Sequence, residues 1–458
     1  MSKKTTRRKS APINEGPLNV VIWGHSDQSG GAELACVIAK AFVDEKLPNT
    51  TVAIISPKPR MDTVERFFIQ EPFRMPPENV IESKESLRLD TAKGNVDAEA
   101  TYRLLEEFRK DLPVDGDLLS YFIGSSQAKR VKARIHPRTL MISCGEPVAV
   151  KVAKDLGLTC IIVTDHLLTA TVRWVLQHGG LFDREAADIL TVFEKWDRMA
   201  DEAFLAPAEF GGADYDSYLA HGSVHCNYVG GLFYEPLMSA ALSVNTAYRE
   251  LAHLAASQPL VFVFGGGGPV WLGVYQQLHS AVRSEGLNGY SLLLPALIEG
   301  EGSLVRRKNE KGEFVYTLYR GGDAPPATEL ADPGRLMYWY AACRLFVGRG
   351  GLAAQQIFAT MMSDVTVAPE MLFIEEPGHP QIEHERRSLY NLGFVQTRTL
   401  LAFQNAPLRV IGEIIAKVER SKTRFRVKSR YAPFMLNNVA RALLASYTPV
   451  SIPGVNLP

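Results

Sequence analysis

Twice in this chain an apolar, strand-like run breaks into a cluster of glycines and continues as a helix. Leu18 to Trp23 leads into Gly24-His25-Ser26-Asp27-Gln28-Ser29-Gly30-Gly31-Ala32-Glu33 and a helical stretch through Phe42. Pro259-Leu260-Val261-Phe262-Val263-Phe264 breaks into Gly265-Gly266-Gly267-Gly268-Pro269. A strand, a glycine turn and a helix make the first unit of a parallel α/β sheet, so the second occurrence marks a second sheet beginning anew. Thr51 to Ser56, Met141 to Ser143 and Leu158 to Val163 extend the first series, with Pro147 to Leu156 as a helix between the last two. Runs near 290–295, 315–319, 343–347 and 371–375 extend the second. Strands alternating with helices at this spacing predict an α/β fold of two tandem Rossmann-like domains facing a cleft.

At 458 residues the chain is long enough for two such domains of roughly 200 residues each. The expected division is a disordered basic tail over 1–17, an N-terminal domain over 18–232, a connection ending near 257, and a C-terminal domain over 258–430. A packing helix and tail over 431–458 completes it, with Met435, Leu436, Val439, Leu443 and Leu444 on one face of a helix from Tyr431 to Tyr447.

Fifty basic and fifty acidic residues leave no net charge, which excludes a nucleic-acid binder driven by its overall field. Cys36, Cys144, Cys160, Cys226 and Cys343 are scattered and odd in number. They form no zinc pattern and read as reduced core thiols of a cytosolic protein. No signal peptide and no run of about 18 apolar residues is present, so a cytoplasmic protein is expected. Lys3, Lys4, Arg7, Arg8 and Lys9 give the tail a weak capacity for anionic lipid headgroups.

The densest chemical signal is Phe346-Val347-Gly348-Arg349-Gly350-Gly351-Leu352-Ala353-Ala354-Gln355-Gln356, followed by Glu375-Glu376-Pro377-Gly378-His379-Pro380-Gln381-Ile382-Glu383-His384. Each reads as a buried strand, a tight loop and the first turn of a helix, placing polar groups at the carboxyl edge of one sheet, where α/β folds hold their ligands. Glycines let backbone N–H groups approach a phosphate and a helix start adds partial positive charge. Arg349 has two readings, an ion pair with a neighbouring carboxylate and a guanidinium beside a helix start that neutralises a leaving diphosphate. A dinucleotide oxidoreductase is disfavoured, because Val270 stands where the spaced third glycine counted from Gly265 belongs.

With these motifs the chain resembles glycosyltransferases of the GT-B fold. The segment Leu336 to Gly351, with Met337-Tyr338-Trp339-Tyr340-Ala341-Ala342-Cys343-Arg344 leading into the glycine turn, is similar to the donor site of the lipid-linked N-acetylglucosaminyltransferase of peptidoglycan synthesis and of the galactolipid synthases. In that family an acid after the turn holds the nucleotide ribose; here Gln356 takes its place, able to hydrogen-bond a hydroxyl but carrying no charge. His379, Gln381 and His384 match the loop that binds hydroxyls of the transferred sugar. Val163-Thr164-Asp165-His166 is similar to a Thr-Asp pair of the same enzymes, and His25 occupies the loop whose histidine faces the acceptor.

The resemblance implies a transferase moving a sugar from a nucleotide diphosphate, expected to be UDP, to an acceptor hydroxyl held by the N-terminal domain. His25 is the expected base, with Asp27 and Asp165 as the other candidates. Gly266, Gly267, Arg349, Gly350, Gly351, Gln356, His379, Gln381 and His384 are the expected donor-binding residues. The nucleotide sugar is a substrate, no other cofactor is expected, and no Asp-x-Asp pair stands near the donor loops to hold a metal. Two alternatives stay open: a sugar-nucleotide epimerase on the same fold, and a catalytically silent binding or scaffold protein. Lipid, small molecule and peptide all remain open as acceptors.

Overall fold

The computed structural model describes residues 18–25, 30–44, 50–61, 64, 75–90, 96–113, 116–164, 167–205, 226–228, 232–233, 258–266, 269–300, 302–321, 327–331, 339–340, 342–349, 369–375, 395–420 and 434–435. These build two separate seven-stranded sheets.

The first sheet is assembled from β1 (Leu18–Gly24), β2 (Thr50–Pro57), β3 (Val80–Ser83), β4 (Thr139–Cys144), β5 (Thr159–Thr164), β6 (Glu202–Leu205) and β7 (Cys226–Tyr228). Its order is β3-β2-β1-β4-β5-β6-β7, and every neighbouring pair is parallel. Its inner strands are apolar on both faces, as a covered parallel sheet requires. Val20 and Ile22 of β1 pack with Ala35 and Ala39 of α1 (Gly30–Asp44), while Val21 and Trp23 join the opposite core. That opposite core is covered by α2 (Ala98–Asp111), α3 (Leu118–Ile123), α4 (Ser125–Ala133), α5 (Pro147–Asp155), α6 (Leu168–His178) and α7 (Arg184–Asp197). Side-chain caps start several of these helices: Asp97 accepts from Ala100 N at 3.0 Å and Asp183 from Ala186 N at 2.8 Å. Each such cap stabilises by about 1 kcal/mol.

A short strand β8 (Leu232–Phe233) follows. The second sheet contains β9 (Leu260–Phe264), β10 (Ser291–Pro295), β13 (Val315–Tyr319), β14 (Ala327–Ala331), β15 (Leu345–Gly348), β16 (Glu370–Glu375) and β17 (Val395–Thr399), in the order β14-β13-β10-β9-β15-β16-β17. Between β10 and β13 the chain forms a hairpin of β11 (Leu297–Gly300) and β12 (Ser303–Arg306). β9, β10, β15, β16 and β17 run parallel, while at one edge β13 pairs antiparallel with β10 and β14 antiparallel with β13, so that β13 alone runs against the rest of the sheet. One face packs Val261, Val263, Leu292, Leu294 and Val347 against α8 (Pro269–Glu285) and α9 (Pro407–Arg420). Ile411, Ile414 and Ile415 recur at helical spacing on α9 and are buried there, each contributing roughly 1.5–3 kcal/mol. The other face is aromatic: Phe262 lies 5.3–6.3 Å from the rings of Tyr316, Trp339, Tyr340 and Phe346.

The expected α/β class with two Rossmann-like sheets is therefore observed. One expectation is corrected. Phe434–Met435, placed at the start of a helix from Tyr431 to Tyr447, forms the strand β18, paired in parallel with Leu232–Phe233. Pro433 immediately before it disfavours the α conformation for the residue it follows, and an apolar, aromatic pair suits an edge pairing. The rest of that segment, the tail over 1–17 and the connection over 234–257 lie outside the described residues.

Candidate functional site

In both sheets the strand order reverses beside the first strand: between β1 and β4 in one, between β9 and β15 in the other. Open parallel sheets bind ligands outside the carboxyl ends of the strands at this point, because neighbouring loops there turn to opposite faces and leave a crevice. Each reversal lies where a glycine turn was expected.

At the first reversal, Gly24 and Cys144 are register partners at the ends of β1 and β4. His25 follows directly and is 3% exposed. Beyond Cys144 the chain turns at Gly145, φ 84°, and reaches Glu146. Ser143 Oγ accepts from Glu146 N at 2.9 Å and donates to Glu146 O at 2.8 Å, closing the turn on itself. The Glu146 carboxyl caps α5 by accepting from Val148 N at 3.1 Å, and its other oxygen accepts from Ser86 Oγ. Burial pushes the Glu146 carboxyl up to about 7, against the lowering effect of those two bonds. Asp197 at the end of α7 accepts from Thr169 Oγ1 at 2.6 Å. Burial raises it to about 8, with the nearby Glu146 charge adding to the shift. The first domain thus encloses two carboxyls that hold their protons to far higher pH than an exposed carboxyl does.

At the second reversal, β9 ends at Phe264, the register partner of Gly348 at the end of β15. Gly265-Gly266 and Arg349 therefore leave adjacent parallel strands in the same direction. Gly266 has φ +93°, a conformation that L side chains rarely adopt. A Cβ on Gly265 would stand 1.8 Å from the Trp271 ring, and one on Gly348 2.3 Å from the Phe264 carbonyl oxygen. Tyr275 of α8 accepts from Gly265 N at 2.8 Å and donates to Gly266 O at 2.9 Å. The Gly265 N–H is thereby engaged inside the protein. Arg349, the residue after Gly348, is half-buried.

Three of the expected site residues have described positions. Gly266 and Arg349 are brought together at one strand-order reversal, and His25 stands at the other. Asp27, Asp165, Gly267, Gly350, Gly351, Gln356, His379, Gln381 and His384 lie outside the described residues. After β5 the next helix, α6, begins at Leu168 with Leu167 in the cap position and no side-chain cap bond. Sequence reasoning missed Glu146, whose signal is the break Gly145-Glu146-Pro147 after an apolar strand, with proline at the first helical position. It also missed Asp197 and Tyr275, which carry no local signal. Cys36, Cys144, Cys160 and Cys343 are buried and in no disulfide, as expected of core thiols. Among the described residues no three His, Cys, Asp or Glu side chains gather into a metal site, and no helix is long and apolar enough to cross a membrane.

No family model matches this sequence, and no curated protein matches it. Solved structures do resemble it in fold. The glycotransferase of kitacinnamycin shares 12% identity over 94% of this chain and 96% of its own, with a TM-score of 0.49. CalG4, the calicheamicin glycosyltransferase, shares 10% identity over 94% of each chain, with a TM-score of 0.49. A UDP-N-acetylglucosamine 2-epimerase from Listeria monocytogenes shares 10% identity over 95% of this chain and 98% of its own, with a TM-score of 0.46. At these identities and scores the likeness concerns the course of the chain, and no residue role follows from it.

Proposed function

We propose that this chain is a GT-B-type glycosyltransferase that takes a sugar from a nucleoside diphosphate, UDP in the first instance, to an acceptor hydroxyl. The observation that carries this reading is the second strand-order reversal, where the positive-φ turn at Gly266 and the half-buried Arg349 leave adjacent strands together. A turn without side chains admits a phosphate close to backbone, and a guanidinium beside it matches phosphate oxygens with a planar fork of donors. Gly350, Gly351, Gln356, His379, Gln381 and His384, which follow β15 and β16 in the sequence, are assigned to the ribose and the transferred sugar.

In the proposed reaction the acceptor oxygen forms a bond to the anomeric carbon. The bond from that carbon to the diphosphate oxygen breaks, and its electron pair leaves with the diphosphate. Arg349 stabilises the negative charge that develops there, in place of a metal ion. His25, at the end of β1 in the first domain, takes the acceptor proton. The resemblance noted in the sequence to the lipid-linked N-acetylglucosaminyltransferase and the galactolipid synthases belongs to this proposal, as does a lipid acceptor approached through the basic tail.

Calorimetric titration with UDP, GDP, dTDP and ADP, followed by donor turnover in a mixture of acceptors, tests the reading. Binding of one diphosphate and release of it from its sugar conjugate are expected. Binding without turnover would leave a silent binding protein, and conversion of the donor sugar without loss of the diphosphate would give the epimerase.

A further inference from the structure

We propose that Arg306, carried on the β11–β12 hairpin, is a second anion-binding residue of the donor site; the inference builds on the nucleotide-diphosphate reading above. β10 runs parallel to β9 and ends at Pro295, so the hairpin that follows leaves the second sheet at its carboxyl edge, the edge of the Gly265-Gly266 turn. Arg306 closes that hairpin opposite Leu297. Its guanidinium carbon lies 3.9 Å from the ring centroid of Phe314 and 5.7 Å from that of Phe264. Phe264 is the residue immediately before the turn.

The way this cation is held is the reason to assign it a ligand. Aromatic faces attract and orient a guanidinium while leaving its charge and most of its N–H donors unneutralised. Among the described residues no carboxylate pairs with Arg306, whereas the adjacent Arg307 is ion-paired with Glu329. Glu313, the acid nearest Phe314 in the chain, receives a hydrogen bond from Asn309 at 2.7 Å. Phe314 and Phe264 thus fix a cation that no described carboxylate pairs, on the β10 side of β9, while Arg349 follows β15 on the other side of β9. Two guanidiniums about one turn fit a dianionic diphosphate better than a single phosphate or an uncharged sugar.

The test is titration of the full chain with UDP, inorganic pyrophosphate and uridine, in the wild type and in Arg306→Met, which keeps an apolar stem over Phe314. Arg307→Met is the control for a neighbouring cation already paired. Arg306→Met is expected to bind UDP and pyrophosphate about tenfold more weakly, a loss of about 1.4 kcal/mol, with uridine and thermal melting unchanged. Arg306→Lys is expected to retain most of the affinity. Arg306→Met binding both anions as the wild type does would overturn the assignment, as would an equal loss in Arg306→Lys with intact melting. Arg306-dependent pyrophosphate binding without added affinity for UDP would keep the anion site and remove the nucleotide reading. No binding of either anion by the wild type would remove both.

Discussion

The Tyr275 hydroxyl accepts from the Gly265 N–H at 2.8 Å and donates to the Gly266 carbonyl at 2.9 Å, so one buried side chain fixes both glycines of the second-domain turn. A hydroxyl has one proton and two lone pairs, which lets it serve both backbone groups at once. The turn is held in shape before any ligand arrives, and pre-organisation of that kind lowers the entropy lost on binding.

Tyr275→Phe removes the hydroxyl and keeps the ring. It leaves the Gly265 N–H without its partner in a buried position, at a cost of about 1–3 kcal/mol. The melting temperature is expected to fall, and UDP affinity to drop with it, because the turn loses its fixed geometry. Thermal denaturation and calorimetry on the same preparation check both, and unchanged values for both would show that Tyr275 does not organise the turn.

Gly265→Ala and Gly266→Ala separate crowding from backbone strain. Alanine at 265 would drive its Cβ into the Trp271 ring, 1.8 Å away, an overpacking that costs roughly 1–3 kcal/mol. Alanine at 266 meets nothing within 4 Å but must adopt φ +93°, a strain of about 1–3 kcal/mol. Repacking Trp271 to a smaller residue should rescue only the first variant, as read by urea denaturation.

The two buried carboxyls of the first domain predict a pH dependence. Burial raises Glu146 to about 7 and Asp197 to about 8, above their ordinary values, so the folded chain holds protons that the unfolded chain releases. Their contribution to stability is fully present below about pH 4, is lost as pH rises through 7 and 8, and is constant above that. The urea midpoint is expected to decline over this window. The combined Glu146→Gln, Asp197→Asn variant should flatten the profile, and an unflattened decline would assign it to other groups.

Much of the framework could be read from local pattern, because parallel strands buried on both faces appear as continuous apolar runs. The strands at Thr50–Pro57 and Ser291–Pro295 are of this kind; the antiparallel Val315–Tyr319 is as fully buried, and the helix Pro147–Asp155 is marked by the proline at its first position. Val80–Ser83 was missed because four residues carry too little periodicity, and the strand forms only through pairing with β2. The orientation of β13 is set by the hairpin before it, which no single segment encodes. Glu146 and Asp197 read as surface residues by type; only the tertiary packing of helices over the sheet encloses them. Tyr275 reads as one more apolar position of α8, and its role depends on a turn ten residues earlier.

The central claim divides the labour between the two strand-order reversals, and one paired measurement tests it most directly: steady-state rates and UDP titrations on His25→Ala and Arg349→Met. His25→Ala is predicted to lower kcat by about 10²-fold or more, the usual scale for a general base, with UDP affinity nearly untouched. Arg349→Met is predicted to weaken UDP by about tenfold or more. Full turnover in His25→Ala together with unchanged UDP affinity in Arg349→Met, both variants melting as the wild type does, would contradict the account.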